Sequence, residues 1–352
     1  MCVYVLVRSG SILIIAVYVD DDFVSHNDKK LFDEFLVHAR KYFKMKNTGE
    51  ISFALGLRIQ RDRSNKVIYL DQESYCLDLL DTFDMGGCRS TDTPAVHNLY
   101  LTADMCPNSD EERAQMEAIP YRSAVGKVMY LMTCTRPDIA AQVRQLSRFL
   151  SNPGPQHWVA VKHLLRYLKG NPGRRIMYDG KLPLTLTAYA DADFANNPDD
   201  RKSVDAVLTM LCGGPITWQS KSQSMVSLSS TEAEYHALTE AARDVRWLRQ
   251  LMHELGATQA EPTVIHEDNT QAIGLARNPE HHARNKHLDV KLHFIRGMIE
   301  QDEISVQYIS TVNQLADIMT KPLSRQVFTR LRDQILVSDC SSTSDGRTLC
   351  GP

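Results

Sequence analysis

An almost unbroken apolar run from Ile12 to Val19 ends abruptly on Asp20, Asp21 and Asp22, and Phe23 and Val24 then resume the apolar texture. This pattern predicts a strand, a tight acidic turn and a second strand, after which LFDEFLVHARKYF (31–43) has helical periodicity. Residues 71–170 read as largely helical, with MCPNSDEERAQMEAIP (105–120) as a polar connector and SNPGPQHW and GNPGRR as Pro/Gly punctuation. From about residue 174 the pattern changes. LPLTLTAYADADFA alternates, with Leu184, Leu186, Ala188 and Ala190 on one face and Thr185, Thr187, Tyr189, Asp191 and Asp193 on the other. DAVLTMLCGGPITWQSKSQ reads as two antiparallel strands turning at Gly213 and Gly214. A long helix follows, its stripe formed by Leu238, Ala241, Val245, Leu248 and Leu251 and its stop by Gly256. The rest reads strand, helix, helix, strand, helix up to Ile335, and the Ser/Thr/Gly-rich end reads as disordered. Three strands, helix, strand, two helices, strand and helix suit a mixed sheet with helices packed on it, an α/β class.

With 352 residues, 43% hydrophobic and 24% charged, the chain is in the globular range and long enough for two or three cores. A net charge of -3 excludes polyanion binding by bulk charge, so any nucleic-acid contact has to come from local patches. One such patch lies between Gln156 and Ile176, where no acidic residue occurs. There Lys162, Arg166 and Lys169 recur at helical spacing opposite Val161, Leu164, Leu165 and Leu168, with Arg174 and Arg175 following. A solvated helix face explains the pattern equally well. The eight cysteines form no C-x-x-C pair, which suits free thiols in a reducing compartment, and the longest apolar run is too short to span a bilayer. The expectation is a soluble, cytoplasmic protein.

The candidate chemistry is carboxylate chemistry. A two-metal phosphodiester hydrolase needs three or four carboxylates from distant chain positions to hold two hard cations. Asp191 on a strand, Glu232 in the first turn of the long helix, Asp268 at a strand end and Asp317 in the last helical region form such a set. Each also has an ordinary explanation. Asp193 shares the face of Asp191. Glu232 stands three after Ser229 and Glu234 three after Thr231, both capping-box patterns. Asp268 or Asn269 could cap the next helix, and Asp317 could be an exposed helix charge. Spacing alone leaves the choice open.

The words around these residues narrow it. YADADFANNPDDRKS, the stretch from GGPITWQSKSQ to LMHELG, and HEDNTQAIGLA through QLADIMTKPL closely resemble the ribonuclease H domain of copia-type LTR retrotransposon Pol polyproteins. The resemblance implies a ribonuclease H fold, hydrolysis of RNA in RNA/DNA hybrids, and metal binding by Asp191, Glu232, Asp268 and Asp317. Two Mg2+ ions, with Mn2+ as substitute, would be the cofactors, and Asp193 and Glu234 would have supporting roles. Lys202, Ser203, Lys221 and Gln223 become candidate substrate contacts. YVDD (18–21) resembles the metal-binding turn of a reverse transcriptase palm through Asp20 and Asp21, FKMKNTGEISFALGLRIQR the segment that follows it, and YRSAVGKVMYLMTCTRPDIAAQVRQLSRFL the connection toward the nuclease.

The expected organisation is therefore an α+β palm remnant at 1–70, a helical thumb or connection at 71–173, a ribonuclease H domain at 174–335 and a tail at 336–352. Expected partners are an RNA/DNA hybrid and the remaining amino-terminal Pol part or another Pol chain, with no membrane. A virus-like particle or the nucleus are alternative locations. With only 19 residues before Asp20, polymerisation by this chain alone is not expected, and exposed sheet edges and aggregation are. The sequence departs from the family at Val204, Asp205 and Ala206, where a Thr-Ser-Gly run is usual, and at Ser222, where a lysine is. Distortion of the following strand and an unfavourable charge near a phosphate path are the expected results. The histidines at 281, 282, 287 and 293 favour packing or phosphate contact over zinc, since no cysteine is near. A binding module that no longer cuts, or an inert remnant, are the competing readings.

Overall fold

The computed structural model describes residues 2–277 and 289–338. The chain divides into two compact units, one of Met1–Ile51 with Trp247–Ala260 and one of Ser52–Arg246 with Glu261–Pro352.

In the first unit β1 (Cys2–Arg8), β2 (Ser11–Tyr18) and β3 (Asp21–His26) form an antiparallel meander, followed by α1 (Lys29–Ala39). Arg8 pairs with Ser11 and Tyr18 with Asp21, so both turns are two residues long. Ser9 and Gly10 both have positive φ, the type I′ geometry that matches the twist of paired strands. The second turn holds Val19 at φ 52°, a costly conformation for a β-branched residue. Asp20 thus stands at the tip of a strained hairpin and Asp21 opens β3, both exposed. The Asp28 carboxylate caps α1 by accepting from the Lys30 N–H at 2.9 Å, and α1 packs on β2 and β3 with Leu13 and Leu31 buried. Tyr4, Leu6 and Val7 on the edge strand β1 are exposed.

The second unit contains two sheets. β4 (Phe53–Ala54), β5 (Leu57–Asp62), β6 (Val67–Asp71) and β7 (Ile176–Asp179) form an antiparallel sheet in that order. Strands before residue 71 therefore pair with one after residue 173. Long-range pairing thus ties the segments flanking the expected boundaries at 70 and 173 into one sheet. Between β6 and β7 in the chain come α2 (Glu73–Thr82), α3 (Asp110–Glu117), α4 (Tyr121–Cys134), α5 (Ala140–Ser147) and α6 (Pro155–Gly170), with α2, α4 and α5 in contact with α6. The expected polar connector thus contains a helix, α3, started by the Ser109 hydroxyl accepting from the Glu112 N–H at 3.2 Å. In α6 Val161, Leu164, Leu165 and Leu168 are fully buried, as the pattern predicts. On its other face Arg166 donates to the Arg89 carbonyl at 2.9 Å and Lys169 donates to that of Gly86, so two of its cations are held by a loop. Beneath α6, Arg136 forms a two-pronged ion pair with Asp138 at 2.8–2.9 Å, and the Tyr167 hydroxyl donates to the same carboxylate at 2.5 Å.

The other sheet has the order β10-β9-β8-β11-β12, from β8 (Thr187–Asp193), β9 (Val204–Leu211), β10 (Gly214–Ser222), β11 (Thr263–Glu267) and β12 (Ile304–Tyr308). β8, β9 and β10 are mutually antiparallel, whereas β11 runs parallel to both β8 and β12. Cys212 and Gly213 carry the positive φ values of the β9–β10 turn, one residue earlier than expected, and Gly214 opens β10. α7 (Ser230–Glu254), α8 (Thr270–Arg277) and α9 (Asp289–Glu300) lie between these strands in the chain, and α10 (Asp317–Thr320) and α11 (Arg325–Ile335) close it. Gly256, at φ 79°, ends α7, with the Ala257 N–H donating to the Met252 carbonyl.

Both faces of the sheet are covered. Ala188, Ala190, Val207 and Ile265 pack with Leu238, Ala241 and Val245 of α7 in one apolar cluster. On the opposite side Ala206 and Leu208 join Val143, Leu146, Ile318 and Met319 in another. The alternation in β8 predicted one polar face, but α10 covers it and leaves Asp191 only 2% exposed. At the carboxyl end, Leu336 is buried and Val337 pairs with Arg175, so these two of the residues assigned to the tail are ordered, and residues 339–352 lie outside the described ones.

Candidate metal centre

β8 and β11 pair only as far as Tyr189 and His266 and then part. The Gln314 side-chain amide fills the split, donating to the Ala190 carbonyl at 2.8 Å. Past this point the strand edges are free to present side chains, and the carboxylates gather there. One ligand oxygen each from Asp191, Glu234 and Asp268 lie within 4.8 Å of one another, and no other group of three ligating side chains occurs among the described residues. Ligands on opposite sides of a Mg2+ ion lie about 4 Å apart at 2.0–2.1 Å per bond, so side-chain rotation of under about 1 Å would seat one ion among the three.

Each member is positioned by its element. Asp191 accepts from the buried Thr320 hydroxyl at 2.7 Å. Asp268 is not the cap of α8, because the Asn269 side chain takes that place by accepting from the N–H groups of Gln271 and Ala272. Asp268 instead accepts from the Thr311 hydroxyl at 2.7 Å. Glu234, 8% exposed, accepts from the Ala192 N–H at 2.7 Å, across from α7 to β8.

The expected Glu232 is not gathered with them. The Ser229 hydroxyl accepts from its N–H at 3.1 Å, and its carboxylate accepts from the Leu228 N–H at 2.8 Å, so Glu232 serves the start of α7. Two residues on, the helix has turned about 200° and Glu234 faces the sheet. A signal for this is present in the sequence: 234, 238, 241 and 245 lie on one helical stripe, so the buried face of α7 runs through Glu234.

Asp317, 3% exposed, lies beside the trio at the start of α10, where Lys321 Nζ is 2.9 Å from its Oδ1 and 4.0 Å from Asp191 Oδ2. Sequence reasoning missed Glu267, fully buried at the end of β11, with one oxygen accepting from the Asn269 N–H at 3.0 Å. Burial, and then the neighbouring carboxylates, raise Glu234, Glu267 and Asp317 well above the usual carboxylate range. Asp268 is raised by burial too, with the Thr311 hydrogen bond opposing. Asp193 is pushed up to about 6 by burial, Lys321 opposing and Asp191 adding. Such crowding of acids, each favouring its proton, is relieved when a divalent cation binds.

The expected substrate contacts divide. Lys221 is exposed on β10 and Lys202 is partly exposed, 3.6 Å from Asp200. Ser203 is buried, its hydroxyl accepting from the Ala195 N–H at 3.0 Å. Gln223 is also buried, donating to Asp205 at 2.5 Å and to the Ala233 carbonyl at 3.1 Å, and accepting from Ser227. Ser203 and Gln223 therefore hold the site's walls. Val204, Asp205 and Ala206 pair in regular register with Asp193, Ala192 and Asp191. Asp205 is buried against His236, 2.7 Å away, so strand and charge are both accommodated. Arg144 of α5 reaches the Ser222 hydroxyl at 3.5 Å, placing a cation where the family's lysine is absent. Residues 281, 282 and 287 lie outside the described residues, and His293 is exposed on α9.

A sheet of this order, antiparallel through its first three strands and parallel thereafter, with carboxylates where β8 and β11 part, defines the ribonuclease H class of fold. Residues 1–97 match the family model described as reverse transcriptase (RNA-dependent DNA polymerase). The chain is 43% identical over 328 residues to the retrovirus-related Pol polyprotein from transposon TNT 1-94 of Nicotiana tabacum, covering 93% of this chain and 24% of that protein. It is 32% identical over 232 residues to a transposon Ty5-1 protein of Saccharomyces cerevisiae, covering 66% of this chain and 73% of that one. Among solved structures, LC11-RNase H1 in complex with an RNA/DNA hybrid is similar at a TM-score of 0.31 and 13% identity, over 39% of this chain and 94% of that one. The chain belongs to the copia-type retrotransposon Pol polyproteins, and it spans about a quarter of the length of the tobacco relative. No helix among the described residues is long and apolar enough to cross a membrane.

Proposed function

We propose that the second unit hydrolyses the RNA strand of RNA/DNA hybrids with divalent metal ions, Mg2+ in the first place. The observation that carries this reading is the convergence of Asp191, Glu234 and Asp268 from β8, α7 and the end of β11 to within 4.8 Å. A bound Mg2+ would polarise the scissile phosphate and lower the pKa of a bound water. The chain's own residues set the geometry. Thr320 and Thr311 orient Asp191 and Asp268 through their hydroxyls, the Ala192 N–H orients Glu234, and Gln314 keeps β8 and β11 apart at the required point. Lys202 just before β9, Lys221 on β10 and Arg144 on α5 would meet backbone phosphates. We assign the metal ligands as Asp191, Glu234, Asp268 and, at the margin, Asp317. The nuclease core comprises β8 to α11, resting on the connection helices. The first unit, with Asp20 and Asp21 on its hairpin, forms part of the reverse transcriptase palm, but no third carboxylate is gathered with them among the described residues, and polymerisation is not proposed for it.

The test is cleavage of a labelled RNA/DNA hybrid in Mg2+ by the full chain. Glu234→Gln should abolish cutting, whereas Glu232→Gln should leave it within a few-fold of the parent. The reverse pattern, or cutting by Glu234→Gln at the parent rate, would refute the assignment. Retention of the hybrid without any cutting by the parent chain would point to a binding module.

A further inference from the structure

We propose that Lys321 is a built-in cation holding the second of the two cation positions in the acid cluster, so that the free protein takes up one divalent ion, at Asp191, Glu234 and Asp268. This rests on the reading of the cluster as a metal centre.

The ligand oxygens that approach one another form a trio and not a quartet, and Asp317 stands outside it. The residues left to hold a second ion would be Asp191 and Asp317. Lys321 already pairs with both: its Nζ lies 2.9 Å from Asp317 Oδ1 and 4.0 Å from Asp191 Oδ2. The Asp191 oxygen on this side also accepts from the Thr320 hydroxyl at 2.7 Å, so the residue before Lys321 occupies the same face.

The lysine is placed by local sequence. Asp317 and Lys321 are four apart and span the short helix α10. Pro322 follows, and a residue before proline is barred from the helical region. Lys321 accordingly ends α10 in an extended conformation, φ -143° and ψ 156°, with its side chain only 30% exposed. A divalent ion between Asp191 and Asp317 would have to expel this fixed charge or sit against it. The trio, which Lys321 does not bridge, keeps its full attraction for an ion.

Mn2+ titration of the full chain, with free Mn2+ counted by electron paramagnetic resonance, tests this without any cleavage assay. The parent should bind one ion tightly, and a second at least a hundredfold more weakly. Lys321→Met should bind two ions of similar affinity, and Lys321→Arg, which keeps the charge, should remain at one. Two comparable sites in the parent, or one site in a folded Lys321→Met, would overturn the proposal and leave the metal centre standing. No binding by parent or variants would overturn the metal centre and the proposal with it. If Lys321→Met does not fold, the parent's own stoichiometry still decides.

Discussion

Asp193 offers the sharpest check on how the acid cluster is arranged. It shares its strand face with Asp191, yet only Asp191 belongs to the trio. Burial, with Asp191 adding, raises Asp193 from its ordinary 3.8 to about 6, despite the opposing charges of Lys321 and Arg144. At 1.36 kcal/mol per pKa unit this corresponds to about 3 kcal/mol favouring the protonated form, and partial solvent access reduces the usable share to about 1–2 kcal/mol. A carboxylate whose folded pKa is raised contributes stability that is complete below about 3.8 and lost as pH climbs through about 6. Asp193→Asn removes the ionisation while its amide oxygen still accepts from Asn196. The variant should therefore match the parent near pH 4 and become more stable by about 1–2 kcal/mol above pH 6.5, as read by urea denaturation in metal-free buffer across that range. Cleavage of the hybrid should stay within a few-fold of the parent. A variant less stable than the parent at pH 7.5, or a difference that does not change with pH, would refute the electrostatic account.

Two further outcomes follow from the same structure. Because burial and the neighbouring Asp191 raise Asp268 and lift Asp317 to about 8, against the opposing Lys321, their stabilising protons are lost as pH rises toward that value, so the gain in melting temperature on adding Mg2+ should be larger at pH 8 than at pH 5; thermal scans showing equal gains would contradict this. Asp138→Ala should destabilise the second unit by about 3–5 kcal/mol, since it strands the Arg136 guanidinium, 1% exposed, without its carboxylate; a loss under about 1 kcal/mol in urea titration would show that the pair does not hold the connection together.

How far the sequence reached differs from element to element. The strand, acidic turn and strand around Asp20, the stripe of α7 with its Gly256 stop, and the order of elements from β8 to α11 all follow from periodicity, because each is set by contacts a few residues apart. Family words pointed to segments that the fold brings together, Asp191 and Asp268 among them. They did not separate Glu232 from Glu234, since both satisfy a capping pattern, although the stripe through Leu238, Ala241 and Val245 already ran through Glu234. The pairing of β6 with β7 was illegible, because it joins strands about a hundred residues apart that carry no mark of their partner.

The sequence by itself determined which segments become strands and helices, where they stop, and that acids cluster at their ends, because backbone propensity, side-chain period and capping are local. Only the tertiary structure decided which acids meet. The parting of β8 from β11, the covering of the polar face of β8 by α10, and the approach of Lys321 to Asp191 are set by packing between distant segments, and burial there raises the gathered carboxylates above their usual range.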